Sequence, residues 1–455
     1  MKAKLDMTQG VGWRHVLIFS LPIMLGNLLQ QLYNTVDGIV VGKYVSEEAL
    51  GAVGNCASLT FLFIAIAIGL SNGSSIVVAQ FFGAKREDDV RRAASTAIVL
   101  LGAVGIAGVI FGMLFSKWLL GTVLGIKDAE VLKDAVTYFT IYSAGLLFQF
   151  LYNVVAALLR ALGDSRATLY FLFVSTVINL GLDLLFVIVF NWGVAGVAIA
   201  TVIAQLISTV FSLFYMYRRY PVFRFKLREL KYYPDMGKRC LQMGIPSMLQ
   251  QSVVAIGSVL MQRLVNHFGK ALMAAFTVGN RVENYIFIPI MALNAGMSTF
   301  AGQNAGAGRH DRIRECWKKV ELISFVFSGI IAVLIYAFAA PISTLFGVKG
   351  TSLKMSMEMI RFMSFFTLLF SLYLPTAGLL QGSGDAFYSM ICSMSTLGVR
   401  VIAAYTMVYL FHVDYHAVWY AVPIGWVCCI VIAWSRYFSG AWEKKALVKK
   451  ETSES

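Results

Sequence analysis

Apolar residues dominate this chain in long runs that are separated by short polar segments. Twelve of these runs reach the roughly 20 residues that a helix needs to cross the hydrocarbon core of a bilayer. Transmembrane strands would be shorter and would alternate between polar and apolar positions, which these runs do not. The predicted spans are 14–41, 50–82, 92–120, 133–159, 166–190, 193–217, 240–267, 271–302, 317–346, 355–380, 386–411 and 416–438. The pattern predicts an all-α polytopic membrane protein with twelve transmembrane helices.

The two halves of the chain resemble each other, which indicates an internal repeat. Three matches occur in the same order at offsets of 221–224 residues: AQFFGAKREDDVR at 79–91 with GQNAGAGRHDRIR at 302–314, Pro22 with Pro246, and Gly163-Asp164 with Gly384-Asp385. Because each half holds six spans, both halves enter the membrane in the same direction. Such repeats are related by a pseudo-two-fold axis along the membrane normal, with the substrate route between them. We predict an N-terminal lobe at 1–225, a C-terminal lobe at 226–442 and a cytoplasmic tail at 443–455.

Composition and charge narrow the class of protein. The 455 residues are 58% hydrophobic and 14% charged, whereas soluble chains are about 45–50% apolar and about 25% charged. This difference excludes a soluble enzyme, a nucleic-acid-binding module and a disordered chain. The formal net charge is +14, and 27 of the 38 lysines and arginines fall in loops on one side of the predicted spans. Basic loops face the cytoplasm, so we expect both termini there, in a multi-pass protein of the cell membrane.

Polar side chains follow one face of two spans in the first half. Asn34 and Asp37 continue a polar series on the first span, and Asn179 and Asp183 are one turn apart on the fifth. Such steps of three or four residues place side chains on one helix face. At about 1.5 Å per residue, Asp37 and Asp183 lie roughly 35 and 26 Å from the cytoplasmic ends of their spans. Both carboxylates are therefore expected in the outer half of the N-terminal lobe.

Carboxylates inside a membrane are costly, so they are normally retained for function. Burial and mutual repulsion would let one of the two aspartates bind a proton near neutral pH. Alternatively, aspartate and asparagine oxygens would surround a hard cation such as Na⁺. A static hydrogen-bond network that fastens the helices together is the structural alternative. We predict a site for a coupling ion, H⁺ or Na⁺, with no other cofactor.

The second half does not duplicate this site. At an offset of 221, Asn179 and Asp183 correspond to Arg400 and Ala404. Arg400 needs a partner inside the membrane that the sequence does not identify, and Glu283 and Arg281 are interpreted as ordinary structural ions near a helix end. All but five of the 19 methionines lie after residue 235, which favours an adaptable apolar pocket. We assign to the substrate cleft a set of polar, aromatic and methionine side chains: Gln30, Tyr33, Asn153, Gln250, Gln251 and Met291.

Enzyme motifs are not supported by this sequence. Gly382-Ser383-Gly384-Asp385 matches the GxGD string of intramembrane aspartyl proteases, but those enzymes also need a Tyr-Asp dipeptide, which does not occur here. A turn or helix cap is the better account of Asp385. No P-loop or HExxH motif is visible. We therefore predict that the protein is not an enzyme and that it does not hydrolyse ATP.

The two six-span halves, LPIMLGNLLQQLYNTVDGIVVG at 21–42 and AQFFGAKR at 79–86 together resemble multidrug and toxic compound extrusion (MATE) transporters. The resemblance implies two helical bundles in a V around a cleft, and antiport of organic cations and other drugs against H⁺ or Na⁺. The acids resemble those of the DinF-like branch rather than the NorM-type branch. On that resemblance Tyr138 and Thr201 complete the coupling site, and Pro22 is the hinge around which the first helix bends.

The predicted function is secondary antiport of drugs or toxic organic compounds, often cationic, by alternating access. The partners expected are small organic substrates and membrane lipids, with no nucleic acid, and the protein is expected to be a monomer. The alternative is a lipid-linked precursor flippase of the same superfamily. A flippase would need a strongly cationic cleft, for which only Arg281, Arg361 and Arg400 are candidates. A membrane-integral protease and a passive channel are the remaining alternatives.

Overall fold

The computed structural model describes residues 5–44, 47–126 and 128–448, while the side chains of 34–50, 227 and 255 fall outside the described part. Every regular element in this part is helical. The helices are α1 (Gly12–Tyr44), α2 (Glu47–Gly83), α3 (Glu87–Trp118), α4 (Ala129–Ala144), α5 (Leu146–Ala161), α6 (Ser165–Leu184), α7 (Gly193–Arg219), α8 (Pro234–His267), α9 (Lys270–Gly306), α10 (His310–Ala337), α11 (Ala339–Leu345), α12 (Gly350–Gly382), α13 (Ala386–Tyr409) and α14 (Ala417–Phe438).

The span count agrees with the pattern of apolar runs. Within the described ranges, eleven helices are long and apolar enough to cross a membrane, and α4 with α5 makes a twelfth span if this bent pair is counted as one. The fourth predicted span, 133–159, therefore consists of two helices that meet at 47°. They meet at Gly145, where a Cβ would lie 2.8 Å from Val202 Cγ2 of α7. Only a residue without a side chain allows this close approach at the bend.

The ninth predicted span, 317–346, is also interrupted. It comprises the end of α10, which stops at Ala337, and the short helix α11. Pro341 lies four residues after Ala337. A proline has no N–H to donate to the carbonyl four residues earlier, and its ring clashes with that carbonyl. The missing hydrogen bond weakens the backbone ladder where α10 gives way to α11.

The described structure divides into two compact units. Unit 1 comprises Met1–Asp6 and Leu25–Met248, and unit 2 comprises Met7–Met24 and Leu249–Ser455. The lobes expected at 1–225 and 226–442 differ from these units at the beginnings of α1 and α8. Each of these two helices starts in one unit and ends in the other. The change occurs two residues after Pro22 in α1 and two residues after Pro246 in α8, which are the prolines paired by the sequence repeat.

Glycines explain how the first part of α8 fits into unit 1. A Cβ at Gly73 of α2 would overlap the backbone of Gly244, and one at Gly69 would overlap the backbone of Met248. Small residues let membrane helices approach until their backbones touch. In unit 2 the repeat-related Gly296 of α9 faces Val16 and Ser20 in the first part of α1. Close packing against a glycine thus holds the start of α1 in unit 2 and the start of α8 in unit 1.

The paired Gly-Asp turns are stabilised differently in the two halves. Asp164 is the N-cap of α6, where its Oδ1 accepts a hydrogen bond from Ala167 N at 3.2 Å. Its Oδ2 accepts hydrogen bonds from Tyr215 and Tyr220. Asp385 stands at the same position before α13 but makes no side-chain cap. Its carboxylate instead accepts a hydrogen bond from Arg436 Nε at 2.6 Å.

Replacing Arg436 with methionine should therefore destabilise unit 2. Asp385 is only 3% exposed, so the variant would leave a buried carboxylate without its cation, which costs about 3–5 kcal/mol. Arg314→Met is the matched control because the pair of Arg314 with Glu443 is much more exposed than that of Arg436 with Asp385. Its loss should cost less than about 1 kcal/mol. Thermal unfolding of the purified protein in detergent measures both. Equal stability of Arg436→Met and wild type would contradict a stabilising role for this pair.

Candidate coupling site and a second cavity

Unit 1 contains a cavity of about 560 Å³ that brings together most of the residues predicted for the first half. Helices α1, α2 and α4–α7 contribute to its lining. Six of the lining residues were candidates from the sequence: Gln30, Tyr33, Tyr138, Asn153, Asn179 and Thr201. The volume lies in the range of small-molecule sites, about 300–1,000 Å³. The predicted coupling residues Tyr138, Asn179 and Thr201 thus share one cavity with three residues that we assigned to the substrate cleft.

Asn179 connects three elements of this cavity. In the amide orientation that satisfies its neighbours, its nitrogen donates to the Tyr33 hydroxyl at 2.6 Å and to Asp183 Oδ2 at 3.0 Å. Its oxygen accepts a hydrogen bond from the backbone nitrogen of Thr201 at 3.2 Å. Asn179 and Asp183 are both buried and lie one turn apart on α6. The helical register expected from the sequence therefore brings the amide and the carboxylate into direct contact.

Thr201 and Tyr138 take part in different ways. Thr201 contacts Asn179 through its backbone N–H, while its hydroxyl donates to Val197 O at 3.0 Å within α7. Tyr138 stacks on Tyr142 with ring centroids 6.1 Å apart. Tyr33, which we assigned to the substrate cleft, is instead the hydrogen-bond partner of Asn179. The structure thus links α1, α6 and α7 through one amide side chain.

Two predicted coupling residues, Asn34 and Asp37, lie outside the described side chains. Their backbone belongs to α1, directly after Tyr33. Asp37 follows Tyr33 by four residues, and Asp183 follows Asn179 by four. The first and fifth spans run in the same direction because an even number of crossings separates their starts. Tyr33 and Asn179 are in contact, and each of them is followed, one helical turn later and in the same direction, by an aspartate.

The cavity residues that the sequence analysis missed include the polar side chains of Gln149, Tyr152 and Gln205. Gln149 and Tyr152 share one face of α5 with Asn153, whose side chain donates to the Gln149 carbonyl at 2.8 Å. Polar residues at steps of three and four within an apolar helix would have indicated this face. Glu321 was missed for another reason, since it lies near the start of an apolar run. It is buried in α10 and accepts a hydrogen bond from Thr376 at 3.0 Å.

Unit 2 contains its own cavity of about 400 Å³. The other three residues assigned to the substrate cleft, Gln250, Gln251 and Met291, line it. Gln250 donates to Ser393 Oγ at 2.6 Å, and the hydroxyl groups of Ser393 and Tyr373 are 2.8 Å apart. The predicted cleft residues therefore lie in two cavities, one within each unit.

Glu283 and Arg400 both line the unit 2 cavity and interact electrostatically. The expected position of Glu283 near a helix end is therefore wrong, while its structural role stays a prediction. Glu283 lies well inside α9 and is 8% exposed, and Arg281 is directed at the Phe346 ring. Glu283 is thus an acid that shares a cavity with Arg400, for which the sequence could not identify a partner. The acid and the base come from α9 and α13, which are far apart in the chain.

The three arginines that a flippase would need do not converge. Arg281 lies over Phe346 with 6.0 Å to the ring centroid, and Arg361 lies over Tyr336 at 5.4 Å. Of the three, Arg400 alone lines the unit 2 cavity. A binding site for a lipid-linked pyrophosphate would require several cations at one place. The arrangement in unit 2 therefore does not favour the flippase alternative.

Comparisons with known proteins agree with the architecture. A family model described as MatE matches residues 22–185 and 246–406. The chain is similar to the probable multidrug resistance protein YoeA of Bacillus subtilis, with 27% identity over 446 residues, which cover 96% of each chain. It is also similar to the probable multidrug resistance protein YpnP of Bacillus subtilis, with 28% identity over 398 residues, which cover 87% of this chain and 88% of that one. A solved structure described as the outward-facing conformation of a multidrug resistance MATE family transporter of the MOP superfamily has a TM-score of 0.91 at 24% identity. It covers 98% of this chain and 100% of that chain.

Proposed function

Because the chain belongs to the MatE family of membrane transporters, as its resemblance to MATE proteins predicted, we propose that it exports multiple drugs or toxic organic compounds by cation-coupled antiport. Membership in this family makes it a transporter rather than an enzyme. The relatives named as multidrug resistance proteins support the class of substrate. Alternating access follows from the duplicated six-span architecture. The protein works as a monomer in the cell membrane, with both termini in the cytoplasm and lipid around it.

The contact between Asn179 and Asp183 carries the proposal for ion coupling. Asp183 is 1% exposed, and a buried membrane carboxylate is normally functional. Asp37, one turn after Tyr33 on α1, supplies the second carboxylate of the site. Asn34 extends the same polar series, while Tyr138 and Thr201 complete the surroundings. Binding or release of a cation at the aspartates changes the charge that Asn179, Tyr33 and the Thr201 backbone must stabilise.

The orientation of the Asn179 amide favours H⁺ over Na⁺ as the coupling ion. Its oxygen accepts from Thr201 N, while its NH₂ group faces Asp183 and Tyr33. A Na⁺ ion needs oxygen ligands, so the amide would have to turn and give up both donor contacts. A proton needs only a carboxylate oxygen. The DinF-like pattern of acids is compatible with this choice.

Pro22 is the proposed hinge of α1. A proline within a helix removes one backbone hydrogen bond, here the one to the carbonyl of Ile18, and weakens the helix locally. Two residues later α1 passes from unit 2 into unit 1. Bending at Pro22 would move Tyr33 and Asp37 while the first part of α1 keeps its contacts with α9. Binding or release of the ion would thereby change the bend of α1.

Uptake of ethidium into proteoliposomes tests the proposal. Vesicles acidified inside, in sodium-free buffer with K⁺ and valinomycin to hold the membrane potential at zero, should accumulate ethidium in exchange for protons. A Na⁺ gradient without a pH gradient should drive no accumulation above that of protein-free vesicles. If only the Na⁺ gradient drives uptake, the assignment of H⁺ is wrong. If neither gradient drives uptake of ethidium or other organic cations, the antiport proposal is wrong.

A further inference from the structure

The two cavities occupy equivalent places in the internal repeat. At offsets of 221–223 residues, lining residues of the unit 1 cavity correspond to lining residues of the unit 2 cavity: Thr60 to Glu283, Phe61 to Asn284, Ile68 to Met291, Tyr152 to Tyr373, and Asn179 to Arg400. Unrelated packing gaps would not coincide position by position. The unit 2 cavity is therefore a duplicate of the unit 1 cavity whose side chains have diverged.

The divergence has replaced neutral groups by a pair of opposite charges. Glu283 stands where unit 1 has Thr60, and Arg400 stands where it has Asn179. Within the described residues, no acceptor lies within hydrogen-bond distance of the buried Arg400 Nε, and no carboxylate lies within 4.0 Å of its guanidinium. The two charges therefore interact across the cavity without forming a closed salt bridge. Such charges are costly inside a membrane protein unless other groups compensate them.

The remaining lining of the cavity is aromatic and apolar. Phe287, Phe370 and Trp426 form one wall, with the rings of Phe287 and Phe370 stacked at 4.1 Å and Trp426 at 5.5 Å from Phe370. Asn284 and Met291 are exposed parts of the lining, so the cavity is not sealed inside the unit. Aromatic walls with a few oriented polar groups are typical of small-molecule sites.

We propose that the unit 2 cavity is a substrate site for zwitterionic aromatic compounds, in which Arg400 binds a carboxylate and Glu283 binds a basic nitrogen. The flat ring system of the ligand packs against Phe287, Phe370 and Trp426. This inference deepens the proposed function, since it names a substrate class and assigns it to a unit different from the ion site. A compound with both charges satisfies the arginine and the glutamate together, whereas a simple cation leaves Arg400 without an anion.

Rhodamine 110 and rhodamine 123 test this selectivity because they differ only in a carboxylate that is a methyl ester in rhodamine 123. Their binding to the purified protein in detergent is followed by fluorescence polarisation. Wild type should bind rhodamine 110 about tenfold more tightly, as expected for one charge-assisted pair of hydrogen bonds. Arg400→Met should abolish this preference while leaving the affinity for rhodamine 123 within about threefold. Glu283→Gln should weaken both dyes.

Two further variants keep the test decisive. Arg400→Lys retains the charge but not the planar fork that binds a carboxylate in two places, so the preference should fall even if Arg400→Met does not fold. Arg361→Met removes an arginine of the same unit that lies outside the cavity, and it should keep the full preference. Equal binding of the two dyes to wild type, an unchanged preference in both Arg400 variants, or its loss in Arg361→Met would overturn the proposal.

The dye-binding assay and the transport assay test the unit 2 site and the antiport proposal separately. Dye binding in detergent needs no ion gradient, so the exposed-residue variant Asp88→Asn should retain the preference for rhodamine 110. Ethidium uptake driven by a pH gradient without any rhodamine preference would overturn the assignment of the unit 2 cavity alone. A rhodamine preference without ion-driven uptake would overturn the antiport proposal alone.

Discussion

Replacing Asp183 with asparagine should reduce ethidium uptake driven by a pH gradient to the level of protein-free vesicles. An asparagine fits the same space but cannot take up and release a proton. In the wild type, Asn179 donates directly to this carboxylate at 3.0 Å. Asp37→Asn should have the same effect if both aspartates form one site, because two coupled carboxylates titrate as a pair. The measurement is the initial rate of uptake into sodium-free, acid-loaded proteoliposomes.

Asp88→Asn is the control for this experiment. Asp88 is exposed in the first turn of α3, so the same change of carboxylate to amide should leave uptake at the wild-type rate. Thermal unfolding of each variant in detergent shows whether the protein is folded. Full gradient-driven uptake by both Asp183→Asn and Asp37→Asn would refute the coupling role of these aspartates. Loss of uptake in Asp88→Asn as well would show that the assay reports charge in general.

Gly73→Ala should destabilise the protein strongly. In most exposed helix positions, alanine instead of glycine stabilises a helix by about 1 kcal/mol. At Gly73 the added Cβ would overlap the backbone of Gly244 in α8, and backbone atoms cannot move aside as a flexible side chain does. Overpacking of this kind costs about 1–3 kcal/mol and occasionally more. The loss should appear as a lower midpoint of thermal unfolding, followed by tryptophan fluorescence in detergent.

Gly54→Ala is a matched control in the same helix. A Cβ at Gly54 would meet nothing within 4 Å, so this variant should be as stable as wild type or slightly more stable. Gly296→Ala should fall between the two, because the atom nearest to its new Cβ is the Ser20 hydroxyl, which can rotate away. An unfolding midpoint for Gly73→Ala equal to that of Gly54→Ala would show that α2 and α8 do not approach as closely as described.

The helices that form the fold were predictable because membrane insertion depends on local composition. A run of about 20 apolar residues suffices to identify a span, and all twelve predicted runs correspond to helices or helix pairs in the structure. The two interrupted spans differ in how far the sequence could reveal them. Pro341 is visible in the sequence, and its missing N–H weakens the helical backbone near the end of α10. Gly145 matters because Val202 lies against it, which no local pattern shows.

The candidate ion site was predictable only in part. The i, i+4 register of Asn179 and Asp183 follows from helical periodicity, so the sequence placed both on one face of α6. The contacts of Asn179 with Tyr33 and with the Thr201 backbone join helices that are distant in the chain. Glu321 could not be identified from periodicity, since a single acid in an apolar run forms no pattern with other polar residues. Its burial became evident only from its neighbours Thr376 and Trp317.

By itself the sequence determined the number of spans, the internal repeat and the aspartates on which ion coupling is proposed, because each depends on composition or on spacing along one helix. Only the tertiary structure decided which unit the first parts of α1 and α8 join, since backbone contacts at Gly73 and Gly296 select those neighbours. It also decided that Glu283 and Arg400 share one cavity. Helix packing brings Glu283 of α9 and Arg400 of α13 to the same cavity. No pattern within one stretch of the sequence shows which helices pack together.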